Sequence, residues 1–211
     1  MKVLVADDHA VVRAGIKRIL EKAHEPVQVG EASTGQEVLQ KVRASKWDLL
    51  LLDVEFPDCS GFDVLKRLAA RTQTGPRVLM LTIHDEQQYA VRALRAGAAG
   101  FLSKQCAPEQ LVTAVRKVAR GGCYLSAALA ETLAFERVGG DPEQPLHACL
   151  SDREFQVLCS LAAGQSLTEI ARTLGISVKT ISTHRTRMLA KMRMKSTAEL
   201  IRYALRHRLA H

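Results

Sequence analysis

The sequence predicts two folds in series: an α/β domain on a five-stranded parallel sheet, then an all-α module of four helices. Three observations predict them. Short apolar runs alternate with amphipathic stretches five times over the first 120 residues. The run DLLLLD at 48–53 does not alternate, as a strand buried on both faces requires, and it is far shorter than the roughly 20 residues of a membrane span. The last third keeps a helical period and has no strand signal.

The strand candidates are VLVAD (3–7), VQVGEA (27–32), DLLLLD (48–53), RVLMLT (77–82) and AAGFLS (98–103), each bounded by turn formers or charges. Between and after them lie VVRAGIKRILEK, QEVLQKVRAS, DVLKRLAART, EQQYAVRALRAG and PEQLVTAVRKVARGG, with the apolar spacing of amphipathic helices. Pro108 is placed to start a helix, and Gly97 and Gly121 to stop one. Five βα units with right-handed crossovers are met by the flavodoxin-like strand order 2-1-3-4-5. This domain is assigned residues 1–121.

Residues 122–146 form a linker, with a helix-capable part near 126–136 and then the breaker-rich GGDPEQP. The module at 147–211 follows as SDREFQVLCSLAAG, SLTEIARTLG, SVKTISTHRTRMLAKM and STAELIRYALRHR. Ser151 with Glu154, and Ser196 with Glu199, have capping-box spacing, while Gly164 and Gly175 close the first two helices.

Composition narrows the function. The chain has 211 residues, 47% hydrophobic and 25% charged, the balance of an ordinary globular protein. Five cysteines, none in a CxxC pair, indicate neither a disulfide framework nor a zinc site. The four-residue apolar run before Asp7 is too short for a signal peptide, so a cytoplasmic protein without a membrane association is expected. Charge is unevenly spread: 18 Lys and Arg against 14 Asp and Glu in 1–123, 1 against 4 in 124–146, and 11 against 4 in 147–211. The net +7 of the last part points to a polyanion partner, a solvated basic face being the plainer alternative.

Ligand sites of parallel sheets lie beyond the carboxyl ends of the strands. One acid there is an ordinary turn former or helix cap. Here Asp7 and Asp8 follow the first strand, Asp53 the third, Thr82 the fourth and Lys104 the fifth. Three converging carboxylates call for a cation, and a hard ion such as Mg²⁺ suits carboxylate oxygens, water and phosphate. An ammonium and a hydroxyl beside them suit a phosphoryl group arriving on Asp53.

The residues ADDH (6–9), LLLLDVEFPDCSG (49–61), MLTIHD (80–85) and GFLSK (100–104) resemble the receiver domain of two-component response regulators. The resemblance implies that Asp53 is the phospho-acceptor and that a sensor histidine kinase is the donor. It implies Mg²⁺ held by Asp8, Asp53 and the Glu55 backbone carbonyl, with Asp7 acting through water, and a switch formed by Thr82, Phe101 and Lys104. Phe56 stands where such receivers usually carry Met, a volume-tolerant change. Glu55 is an added carboxylate at the site mouth and, with His84, is expected to tune the lifetime of the acyl phosphate or the metal affinity.

In the third helical piece, Lys179, Arg185, Arg187, Lys191, Arg193 and Lys195 occur with no acid between 179 and 195. A step of about 100° per residue puts Ile181, Met188 and Met192 on one face and Lys179, Thr183, Thr186, Arg187 and Ala190 opposite, with Ser182 on the flank and Arg185 toward the inner side. A helix so divided suits a major groove, with Lys179, Arg187, Lys191 and Lys195 on phosphates and Ser182, Thr183 and Thr186 short enough for base edges.

This half resembles the LuxR-type helix-turn-helix domain through LSDREFQVLCSLAAG, TEIARTLGISVKTISTHRTRMLAKM and KSTAELIRYA, and the whole chain is similar to the NarL/FixJ family. The resemblance implies a transcription factor that binds double-stranded promoter DNA as a homodimer, the final helix around Thr197–Arg208 serving the dimer, with RNA polymerase as a further partner. No enzyme activity is expected beyond assistance to its own phosphoryl transfer and autodephosphorylation. Two other readings are a phosphatase with an aspartyl-phosphate intermediate, which would need a capped substrate pocket, and a phosphate-independent interaction module.

Overall fold

A computed structural model describes residues 1–23, 26–70, 75–83, 86–126, 130, 145–207 and 209, without the side chains of 86–88. It divides into two compact units, Met1–Val138 and Gly139–His211.

The first unit runs β1 (Lys2–Ala6), α1 (Ala10–Lys22), β2 (Gln28–Ala32), α2 (Gly35–Ala44), β3 (Leu49–Asp53), α3 (Gly61–Ala69), β4 (Arg77–Thr82), α4 (Glu86–Arg95), β5 (Gly100–Ser103) and α5 (Pro108–Ala119). All strand pairs are parallel, in the order β2-β1-β3-β4-β5. The leucines of β3 are fully buried, because α-helices cover both faces of its sheet. One core cluster joins Val3, Val5, Leu49, Leu51, Leu79 and Leu81 to Leu111, Val115 and Val118 of α5.

The register fixes the functional edge. Ala6 pairs with Leu52, Asp53 with Leu81 and Thr82 with Ser103, so the strand ends lie side by side. Helices α2 and α3 each begin on a glycine, earlier than the periodicity indicated. Gly61 has a steric reason: a Cβ there would meet the Asp53 carbonyl oxygen at 1.9 Å. The Ser60 side chain caps α3 in a box closed by Asp63, a shorter acid than the usual Glu.

The second unit holds a 3₁₀ turn (Leu146–Cys149), α6 (Asp152–Ala162), α7 (Leu167–Thr173), α8 (Val178–Lys191) and α9 (Thr197–Arg206). Ile181, Met188 and Met192 are buried as the helical wheel requires. The Ser151–Glu154 capping box is present, and Ser166 with Glu169 forms another that the sequence reading passed over. The expected Ser196–Glu199 box is only half formed: Ser196 accepts from Glu199 N, but the Glu199 carboxylate accepts from Lys195 N, one residue further back.

Several helix ends share one pattern. Gly97, Gly121, Gly164 and Gly175 take positive φ, as expected of helix stops. Helix α8 ends in the same paired bonds, from Arg193 N to Ala190 O and from Met194 N to Leu189 O, but with Arg193 at φ 54° where glycine is at ease. Lys195 therefore lies beyond the helix, in the turn to α9. The helix-capable linker part, 126–136, falls outside the described residues except for Ser126 and Ala130.

Candidate functional site

At the carboxyl edge of the sheet, Asp7 is wholly buried, Asp53 nearly so, and Asp8 exposed. Lys104 reaches between the two buried acids, its Nζ 2.6 Å from Asp53 Oδ2 and 2.7 Å from Asp7 Oδ2. Its position is set by the sheet itself, since Lys104 N donates to Thr82 O at 2.7 Å. Asp53 Oδ1 accepts from Val54 N at 2.7 Å, which leaves Oδ2 as the oxygen facing the ammonium.

Burial pushes the Asp53 carboxyl up to about 7; Lys104 works against this, and the like charge of Asp7 adds to it. Burial also opposes the charge of Lys104, but Asp53 and Asp7 more than offset that and hold the ammonium above its ordinary range. The site is thus short of positive charge by the measure of its own carboxylates.

Ligand atoms of Asp7, Asp8, His9 and Asp53 all lie within 4.8 Å of one another. Carboxylate oxygens dominate that set, so it fits a hard divalent cation. His9 was not singled out from the sequence; its Nδ1 stands 2.6 Å from Asp8 Oδ1 and 3.4 Å from Asp7 Oδ1. Arg13 was also missed. From α1 it donates to the backbone carbonyls of Asp7 and Asp8 at 2.7 and 3.2 Å, while its Nε faces Glu31 at 3.3 Å. Asp58 accepts from Gly35 N and Gln36 N, both at 2.9 Å, and so ties the loop after β3 to the start of α2.

Thr82 is buried at the end of β4, and Phe101 is fully buried, its residue paired with Met80 in the sheet. Phe56 is buried too, as an apolar replacement there requires. Glu55 is half-buried and bridges Ser60 through the backbone. His84 lies outside the described residues.

In the helical unit, Lys179, Thr183, Thr186 and Arg187 are exposed and Ser182 is half-buried, on the side of α8 away from Ile181 and Met188, while Lys191, at the end of the helix, and Lys195, beyond it, are exposed. Arg185 is half-buried, with its Nε shielded from solvent, as its inward wheel position implies. Lys191 has a prior commitment: its Nζ lies 2.6 Å from the buried Glu154 of α6. Burial opposes the charge of Glu154, yet the bonds from Lys191 and Ser151 hold its carboxyl below the ordinary range.

The response regulator receiver domain profile matches residues 3–116, and that of the bacterial regulatory proteins of the luxR family matches 148–204. The chain belongs to the NarL/FixJ response regulators. This response regulator is 36% identical to the response regulator UvrY of Escherichia coli (strain K12), over 100% of its own length and 96% of that relative's. It is also 36% identical to the oxygen regulatory protein NreC of Staphylococcus aureus (strain JH9), covering 99% of each chain. Among solved structures, RcsB of Salmonella enterica serovar Typhimurium, bound to promoter rprA in the presence of a beryllofluoride phosphomimetic, is 26% identical with a TM-score of 0.63, covering 96% of this chain and 97% of that one. The response regulator ChrA of a heme-sensing two-component system is 32% identical with a TM-score of 0.52, over 99% and 98%. The response regulator is accordingly a two-component transcription regulator rather than a metabolic enzyme.

Proposed function

We propose that this response regulator accepts a phosphoryl group on Asp53 from a sensor histidine kinase and thereby shifts toward a homodimer that binds promoter DNA. The observation that carries the reading is the buried Asp53 carboxylate held 2.6 Å from Lys104, itself shared with Asp7. A carboxylate oxygen of Asp53 attacks phosphorus as the phosphorus–nitrogen bond of the donor phosphohistidine breaks. Lys104 offsets charge on the arriving oxygens, and Thr82 donates to one of them. Asp7, Asp8, Asp53 and the Glu55 backbone carbonyl would hold Mg²⁺, which supplies further charge neutralisation when bound. Autodephosphorylation by water at the same carboxyl ends the signal.

The phosphoryl group adds about two negative charges. Thr82 and Lys104 move toward them, Phe101 follows, and the population shifts to the dimer. Residues 122–146 act as the linker between a receiver at 1–121 and a DNA-binding domain at 147–211. Helix α8 enters the major groove: Lys179, Arg187, Lys191 and Lys195 meet phosphates, and Ser182, Thr183 and Thr186 meet base edges. RcsB, as its structure is described, binds promoter DNA with a phosphomimetic present, which supports the same order of events here. RNA polymerase is a further partner at such promoters. No helix among the described residues is long and apolar enough to cross a membrane, and a regulator that reads DNA works in the cytoplasm.

The test is a small phosphodonor with Mg²⁺, followed by intact mass and DNA mobility shift. Wild type should gain one phosphoryl group and bind DNA more tightly; Asp53→Ala should do neither. If Asp53→Ala bound DNA as tightly as phosphodonor-treated wild type, the receiver would be a phosphate-independent interaction module.

A further inference from the structure

The hydroxyl groups along α8 are largely committed to the helix itself. Thr183 Oγ1 donates to Lys179 O and Thr186 Oγ1 to Ser182 O, each at 3.0 Å. Ser177 and Thr180 share a hydroxyl bond at 2.8 Å, and Ser177 also caps the helix. A hydroxyl has one proton, and bonding back to the fourth preceding carbonyl uses it. Thr183 and Thr186 are both exposed, so what they turn outward is a methyl group and oxygen lone pairs. Val178, exposed at the start of the helix, adds further methyl surface four residues before Ser182.

Bases differ in what they offer such a surface. In the major groove, guanine shows two acceptors, which an acceptor oxygen cannot satisfy. Adenine and cytosine both show an amino donor, so the 5-methyl group of thymine is what sets A·T apart for such a surface. Resting on the reading of α8 as the DNA-reading helix, we propose that Thr183 and Thr186 select A·T pairs. Their methyl groups pack on thymine methyls, which no G·C pair offers. Ser182, whose hydroxyl makes no bond among the described residues, is left as the short side chain able to donate, and Lys179 and Arg187 supply the phosphate contacts.

Two conservative replacements separate methyl from hydroxyl. Threonine to valine keeps a methyl and loses the hydroxyl, whereas threonine to serine does the reverse. The full-length chain is used to select duplexes from a random pool, and affinities are measured by anisotropy for the best duplex and for copies in which single thymines become deoxyuracil. Each contacted thymine should cost roughly fourfold on losing its methyl, the value of burying one such group. Thr183→Val and Thr186→Val should keep selected-site affinity, while Thr183→Ser and Thr186→Ser should lose it and no longer respond to deoxyuracil. The opposite ranking, serine retained and valine lost, would overturn the proposal, as would selected sites that ignore deoxyuracil throughout. Those failures leave the DNA-binding reading standing if every variant still retains unselected duplex at low salt. Failure to retain any duplex would remove both.

Discussion

The ammonium of Lys104 stands 2.6 Å from the Asp53 carboxylate, so the group proposed to meet an incoming phosphoryl already neutralises its acceptor. One cation shared by two buried acids leaves the metal-free site under electrostatic stress, and that stress is measurable.

Asp53 binds its proton more tightly in the folded chain, at about 7, than an ordinary carboxyl near 4. Its ionisation therefore costs nothing below about pH 4 and removes stability as pH rises toward about 7, where the penalty is complete. Without divalent ions, Asp53→Asn should be more stable than wild type by about 1–3 kcal/mol near pH 8, with the gap much smaller near pH 5 and gone below about pH 4. Mg²⁺ should raise the wild-type melting temperature and leave the variant almost unmoved. Thermal melts at both pH values, with EDTA or Mg²⁺, check this.

Glu55, two residues after Asp53, is expected to bring a further carboxylate to the mouth of a site already rich in them. Glu55→Asn should weaken Mg²⁺ binding and alter the half-life of the phosphoaspartate. A lifetime unchanged at saturating Mg²⁺ would deny Glu55 any part in hydrolysis and leave it only the metal.

Gly61 passes against the end of β3 with no room for a side chain. Gly61→Ala must displace the Asp53 backbone, at about 1–3 kcal/mol, with a matching fall in the rate of phosphorylation. Denaturant melts and phosphodonor kinetics would show both effects; a variant as stable as wild type would mean that the strand end yields freely.

Arg193 closes α8 with φ 54° in a position that α4, α5, α6 and α7 give to Gly97, Gly121, Gly164 and Gly175. Arg193→Gly should stabilise the helical unit by about 1 kcal/mol, the cost of left-handed backbone for a residue with Cβ. A loss of stability instead would indicate that the guanidinium makes a compensating contact.

Much of the fold was legible because its signals are local. The leucines of β3, the Pro108 start of α5 and the four glycine stops act within a few residues of themselves. The strand-end acids were legible because a parallel sheet brings every carboxyl end to one edge. Arg13, Asp58 and the second role of Glu154 were not, since each acts on a partner that only folding supplies: the Asp7 and Asp8 carbonyls, the α2 amides and Lys191. Capping with Asp63 in place of Glu, and helix starts on Gly35 and Gly61, broke the usual local patterns for the same reason: a neighbour, not propensity, chose the residue. Lys195 was assigned to the helix because charge has no period that marks a helix end.

Asp58 lends both carboxylate oxygens to the first amides of α2, and Arg13 grips the carbonyls of Asp7 and Asp8. The pocket is therefore braced like a vice with one fixed jaw, formed by α1, α2 and the loop after β3. On the proposed switch, strain introduced at Asp53 would find its outlet on the other side, along β4 and β5, where Thr82 and Lys104 stand. Direction, in such a device, comes from what is prevented from moving.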